Sequence, residues 1–285
     1  MLYAAERLGA VFGNCLNGGL CSPVGREETV RIVDGLRRDK VNEDITLTQS
    51  GTGLTFGSDA YLLYAYIKRF PKSSKGAELG CGSGIISLLC SAKGKLSKID
   101  AFEVQERQAD IARKNSEENG LSDKVRIECA DIRGLDASFN GAYDCVFTNP
   151  PYMKEDSGKR NAHDEKYIAR HEVMGDIGDF CSAAAKLLKF GGLFYAVYRP
   201  DRAADLIFEM KKSGIEPKRM TLVYPDAVSK PCIMLIEGKK GASSGMFFTM
   251  PLIMHKDASA STLEDTDELK YIYENGEFDE RFRKA

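Results

Sequence analysis

From residue 76 onward, short apolar runs alternate with longer stretches of helical spacing. Ala77 to Cys81 reads as a strand running into glycines, and Ile85 to Cys90 opens a helix. Lys98 to Val104 is a second strand. Gln105 to Glu118 follows with Ala109, Ile111 and Ala112 apolar among charges, and Asn119-Gly120 stops that helix. Val125 to Cys129 and Tyr143 to Thr148 are the third and fourth strands. Asp176 to Leu188 is a helix closed by Gly191-Gly192. Leu193 to Tyr198 is a fifth strand, and Ala203 to Lys212 a helix ending at Gly214. Arg219 to Tyr224 and Cys232 to Glu237 are late strands, joined by a turn that contains Pro225 and Pro231.

Strands that alternate with helices predict an α/β fold with a doubly wound, mostly parallel, Rossmann-like sheet. The two late strands have no helix between them, so they are expected to close the sheet as an antiparallel hairpin. Residues 1–40 mix glycines with short apolar pieces and read as a loosely attached arm. Within the arm, Glu27 to Leu36 has the spacing of a short amphipathic helix, with Val30, Val33 and Leu36 on one side. Residues 41–256 form the expected domain. Residues 257–285 are a polar, acidic tail in which Tyr271, Ile272, Tyr273, Phe278 and Phe282 offer anchors.

Composition narrows the class without naming a function. In 285 residues, hydrophobic types make 43% and charged types 29%, an ordinary globular balance. No apolar stretch approaches the ~20 residues of a membrane span. Glu6, Arg7 and several glycines interrupt what a secretory leader would keep apolar. Eight cysteines contain no Cys-x-x-Cys pair, and there are three histidines, so the expected protein is cytoplasmic, reduced and without zinc. The net charge of −2 becomes +2 without the eight acidic and four basic residues of 261–285. That leaves room for a local basic surface but does not demand one.

Candidate chemistry enters at Glu78-Leu79-Gly80-Cys81-Gly82-Ser83-Gly84, between a strand and a helix. Gly80, Gly82 and Gly84 let the backbone turn sharply and approach a ligand. Glu103, at the end of the next strand, is placed to accept from both hydroxyls of a ribose. The acidic Glu78 suits a sulfonium and an ammonium better than a pyrophosphate. Asp131, after the third strand, is placed to accept from an adenine amino group. Together these favour S-adenosyl-L-methionine as cofactor over a dinucleotide.

Asn149-Pro150-Pro151-Tyr152 ends the fourth strand. The two prolines fix two backbone torsions and remove two N–H donors. The Pro150 carbonyl and the Asn149 side-chain oxygen can then take both hydrogens of a planar –NH₂, aiming its lone pair at a methyl group. Tyr152 can stack on the ring, a contact worth about 1–3 kcal/mol for bases. Positioning and electrostatics would supply most of the catalysis. The loop after it carries Lys154, Lys159, Arg160, Lys166, Arg170 and His171 with Tyr167 among them, which fits an RNA backbone and a flipped-out base. Glu155, Asp156, Asp164 and Glu165 offset much of that charge.

These motifs resemble the amino-methyltransferase branch of the class I methyltransferases. Two further segments resemble one family within it, the bacterial adenine-N6 methyltransferases of valine tRNA. They are Leu54 to Leu63, similar to Phe-x-x-Gly-Thr-Asp-Ala-x-Leu-Leu with Ser58 in place of Thr, and His163 to Glu172. The resemblance runs from about Val33 to Glu237. It implies methyl transfer to the 6-amino group of adenine 37 of a tRNA, and it places Phe56, Gly57 and Asp59 at the border of the cofactor pocket. A glutamine side chain also presents –NH₂, so a protein glutamine N5-methyltransferase is the alternative; rRNA and DNA amino groups are nearer variants. A non-catalytic cofactor-binding protein that interacts with RNA is a third class.

Overall fold

The computed structural model describes residues 32–33, 36–50, 57–151, 175–260 and 262–283. Its strands in chain order are β1 (Ile32–Val33), β2 (Leu36–Lys40), β3 (Thr46–Ser50), β4 (Lys75–Leu79), β5 (Lys98–Glu103), β6 (Val125–Cys129), β7 (Tyr143–Thr148), β8 (Leu188–Tyr198), β9 (Ile215–Tyr224), β10 (Ile233–Lys240), β11 (Phe247–Phe248) and β12 (Leu252–Ile253). The helices are α1 (Ser58–Tyr66), α2 (Ile85–Ala92), α3 (Glu106–Glu118), α4 (Ile177–Leu187), α5 (Ala203–Lys212) and α6 (Asp267–Asn275).

The main sheet runs β11-β9-β10-β8-β7-β4-β5-β6, with β12 also on β9. Strands β8, β7, β4, β5 and β6 run parallel to one another, and β10 is antiparallel to both β8 and β9. The chain crosses from β4 to β5 and β6 on one side, then returns to β7 and β8 on the other. That reversal lies at β4, and its carboxyl end is where an open α/β sheet leaves a ligand crevice. The parallel strands, covered on both faces, read as near-continuous apolar runs, as in Cys145-Val146-Phe147. One face packs on α1, α2, α3 and α6, and the other on α4 and α5.

Several elements were not legible from periodicity. Ala60 through Tyr66 of α1 are all buried, so the helix shows no polar side. Its carboxyl end is closed by Lys95, which is fully buried. Lys95 Nζ donates to the carbonyls of Tyr64, Ala65 and Ile67 at 2.8, 3.2 and 2.7 Å and lies 4.4 Å from the Tyr64 ring centroid. Burial pushes its ammonium down to about 8, so the cation still holds these carbonyls at neutral pH. Lys95→Met strands them without a donor. Denaturant unfolding at pH 7 is expected to show a loss of about 3 kcal/mol; unchanged stability would show that the carbonyls find other partners.

The expected helix from Glu27 to Leu36 is not what its described part forms: Ile32–Val33 and Leu36–Lys40 are strands. They join β3 in a small antiparallel sheet. The β2–β3 turn is set locally, because Asn42 Oδ1 accepts from the N–H groups of Asp44 and Ile45 at 2.9 and 2.8 Å. The glycines at 191 and 192 do not end α4. Strand β8 starts at Leu188, and they sit in a register shift against β7. Beyond residue 257, Leu269 and Ile272 of α6, with Phe278 and Phe282, are buried in the main core. Arg219, paired with Glu237 at 2.8 Å, donates to the Phe282 carbonyl at 3.0 Å and fixes that end. Among the described residues, no helix is long and apolar enough to cross a membrane.

Candidate active site

The glycine turn sits at the carboxyl end of β4. The N–H groups of Gly80 and Cys81 both donate to the Phe102 carbonyl, at 2.9 and 3.0 Å, which stitches the turn to β5. Gly82 has φ +54°, a torsion that costs a side-chain-bearing residue. A Cβ there would meet nothing within 4 Å, so the turn borders open space instead of packed chain. Gly84, at φ +83°, starts α2 without a side-chain cap. That positive φ is what calls for glycine, because a Cβ there would only be in ordinary contact, 3.4 Å from that of Ala112.

Glu103 is buried at the end of β5. Its Oε2 accepts from the Gly82 N–H at 2.9 Å and its Oε1 from the Gln105 N–H at 2.9 Å. The carboxylate thus lies against the turn with lone pairs left for further donors. Glu78 has a different setting from the one its charge suggested. It is 1% exposed, and its Oε2 accepts from Ser87 N at 3.1 Å and from Ser87 Oγ. It therefore supplies the cap that Gly84 cannot. Burial pushes its carboxyl up to about 8, against the Ser87 hydrogen bonds that lower it and with the Glu103 charge adding to the rise.

Asp131 caps a short 3-10 turn and is gripped by Arg133, whose Nε lies 2.9 and 3.0 Å from its two oxygens and whose Nη2 lies at 2.6 Å. Those bonds hold its carboxyl below the usual carboxylate range. An adenine amino group reaching Asp131 would share it with Arg133, a residue that the sequence did not mark.

At the neighbouring strand end, Thr148 Oγ1 donates to the Leu79 carbonyl at 2.8 Å and ties β7 to β4. Asn149 follows, half-buried, with Nδ2 3.1 Å from Asp59 Oδ2. Asp59 is fixed in turn by the Ala60 N–H on its Oδ1 at 2.8 Å. Gly57 makes room for that carboxylate, because a Cβ at 57 would lie 2.8 Å from Oδ1. The start of α1 and the end of β7 are thus joined through an acid and an amide. Pro150 is buried and Pro151 half-buried. Phe56, Tyr152, Lys154, Lys159, Arg160, Lys166 and Arg170 lie outside the described residues. Among the described residues, no group of three or more His, Cys, Asp or Glu side chains could hold a metal ion.

Asn115 is another residue that the motifs missed. It is fully buried in α3 and touches both β3 and the glycine turn. The available signal was an Asn inside a helix, four residues before the Asn that ends it.

Residues 50–210 match the methyltransferase small domain family. The chain is 26% identical over 202 residues to the tRNA1(Val) (adenine(37)-N6)-methyltransferase of Trichodesmium erythraeum, covering 70% of this chain and 83% of that protein. A protein of the same name from Porphyromonas gingivalis is 26% identical over 219 residues, covering 73% and 84%. Among solved structures, a predicted O-methyltransferase from Agrobacterium tumefaciens superposes with a TM-score of 0.63 at 21% identity, covering 78% of this chain and 98% of that one.

Proposed function

The chain belongs to the methyltransferase small domain family, and from that premise we propose that it moves a methyl group from S-adenosyl-L-methionine to the 6-amino group of adenine in tRNA, at position 37 of a valine tRNA. The Asn149–Asp59 contact beside the glycine turn carries this reading. The names of the relatives support its substrate.

The cradle fits the cofactor. Gly82 borders open space, and Glu103, already accepting from the Gly82 N–H and from Gln105, retains acceptor capacity for a ribose hydroxyl. Gly80, Gly84, Gly57, Asp59, Asp131 and, by motif, Phe56 would complete its border, with Glu78 beneath the turn. When bound, S-adenosylmethionine supplies an electrophilic methyl on a sulfonium sulfur.

The residues of the chain do the rest by orientation. A carboxylate at Nδ2 lets the Asn149 amide face only one way, with its Oδ1 away from Asp59. That oxygen and the Pro150 carbonyl accept the two hydrogens of the amino group. The nitrogen lone pair is then directed out of conjugation with the ring and toward the methyl. On transfer the N–C bond would form as the methyl–sulfur bond breaks, and the nitrogen would pass its extra proton to solvent. By motif, Tyr152 would stack on the base, and Lys154, Lys159, Arg160, Lys166 and Arg170 would meet the RNA backbone, which fits a cytoplasmic enzyme acting on a tRNA.

Purified protein, labelled S-adenosylmethionine and a valine tRNA transcript test the proposal. Mass spectrometry of the digested nucleosides should show N6-methyladenosine in the normal transcript and none when adenine 37 is changed to guanine. Label found on a glutamine-containing peptide and not on the tRNA would move the assignment to the amide alternative.

A further inference from the structure

Among the described residues, strand β3 has no strand pairing with the main sheet. Its backbone is paired on one side with β2, and α3 meets it through two side-chain amides. Asn119 Oδ1 accepts from the Thr46 N–H at 2.9 Å, and its Nδ2 donates to the Thr46 carbonyl at 2.8 Å. Asn115 repeats the pattern one turn earlier, accepting from the Thr48 N–H at 2.8 Å and donating to the Thr48 carbonyl at 2.8 Å. The two amides, four residues apart on one helix face, act as a short strand edge for β3.

The two asparagines differ in one respect. Asn115 Nδ2 has a second hydrogen, and it goes to the carbonyl of Ser83 at 2.9 Å. Ser83 lies in the turn between Gly82 and Gly84. The turn is therefore held from two sides, by Glu103 on the Gly82 N–H and by Asn115 on the Ser83 carbonyl. Asn115 is fully buried, so its amide has no water to exchange these bonds with. Asn119 bonds within α3 instead, to the Asn115 carbonyl at 2.7 Å. Strand β3 leads in sequence to Gly57 and Asp59, the residues that meet Asn149.

We propose that Asn115 is a positioning residue that couples the cofactor turn to β3, so that filling the turn tightens the β3 backbone and the strand in turn holds the turn ready. This rests on the cofactor reading given above. One amide is shared between the two, so its orientation cannot satisfy one while releasing the other.

S-adenosylhomocysteine is the probe, read by calorimetry and by hydrogen exchange at the Thr46 and Thr48 amides. In the unaltered chain it is expected to slow exchange at Thr48. Asn115→Ala should weaken its binding about 10-fold and abolish the slowing, as expected for a lost buried hydrogen bond. Asn119→Ala should speed exchange at Thr46, while binding stays within about 2-fold and the slowing at Thr48 persists. Binding by the unaltered chain with no change at Thr48 overturns the proposal alone, and this comparison needs no variant to fold. An Asn115→Ala protein that keeps the slowing overturns it too. No binding by the unaltered chain overturns the cofactor reading and this proposal with it.

Discussion

Asn149→Ala is expected to lower methyl transfer to tRNA by about 100- to 1000-fold while S-adenosylmethionine binds within about 3-fold of normal. The split follows from position. The turn and Glu103 are built from β4, α2 and β5, and they contact one another without Asn149. Asn149 stands at the end of β7, where its amide meets Asp59. Removing it takes away one of two acceptors that orient the amino group in the transition state and leaves the cradle in place. Single-turnover transfer and calorimetric binding measure the two effects separately. Transfer within 10-fold of normal would end the assignment of Asn149 as a catalytic residue.

The Asp59 contact sharpens the same experiment. Asn149→Asp keeps an acceptor oxygen but sets a second carboxylate against Asp59, where the amide nitrogen now lies at 3.1 Å. Two carboxylates so close resist joint ionisation, and one retains a proton. The variant should lose activity progressively as pH rises and the shared proton is lost. Asp59→Asn in the same chain supplies an amide donor from the opposite side and should restore much of the rate. If the double variant is no better than Asn149→Asp, Asp59 does not set the orientation of residue 149.

The strands that build the crevice were legible because burial on both faces leaves apolar runs bounded by glycine or proline. Val125–Cys129 and Tyr143–Thr148 have the limits their composition predicts. The glycine turn was legible for a related reason, since positive φ at 80, 82 and 84 demands that residue. What escaped was held by contacts remote in sequence. Helix α1 is buried all round and shows no period. Strand β3 is secured by Asn115 and Asn119, whose partners lie far back along the chain. The charge of Glu78 suggested a cationic ligand, but only the packing shows its carboxyl spent on Ser87. Asp131 was legible as an acid just after β6, whereas its pairing with Arg133 depends on the local turn.

The stability of the ligand-free chain is expected to fall as pH rises from about 4.5 through about 8, and Glu78→Gln should remove much of that fall. Burial raises the folded-state carboxyl to about 8 from an ordinary 4.5. Below 4.5 the group is protonated in both states and contributes no slope. Between the two values the folded chain holds a proton that the unfolded chain has released, so stability drops by about 1.4 kcal/mol per pH unit. Above 8 both states are ionised and the loss, several kcal/mol in all, is complete. Glutamine keeps the shape and an acceptor for the Ser87 N–H but has nothing to titrate. Its unfolding midpoint should match that of the unaltered chain near pH 5 and exceed it at pH 8.5. Glu78→Ala separates this electrostatic effect from the cap: it leaves Ser87 N without its acceptor at the start of α2, at a cost of about 1 kcal/mol relative to Glu78→Gln at every pH. Thermal unfolding profiles that run parallel for the unaltered chain and Glu78→Gln would show that the buried carboxyl stays ionised across the range.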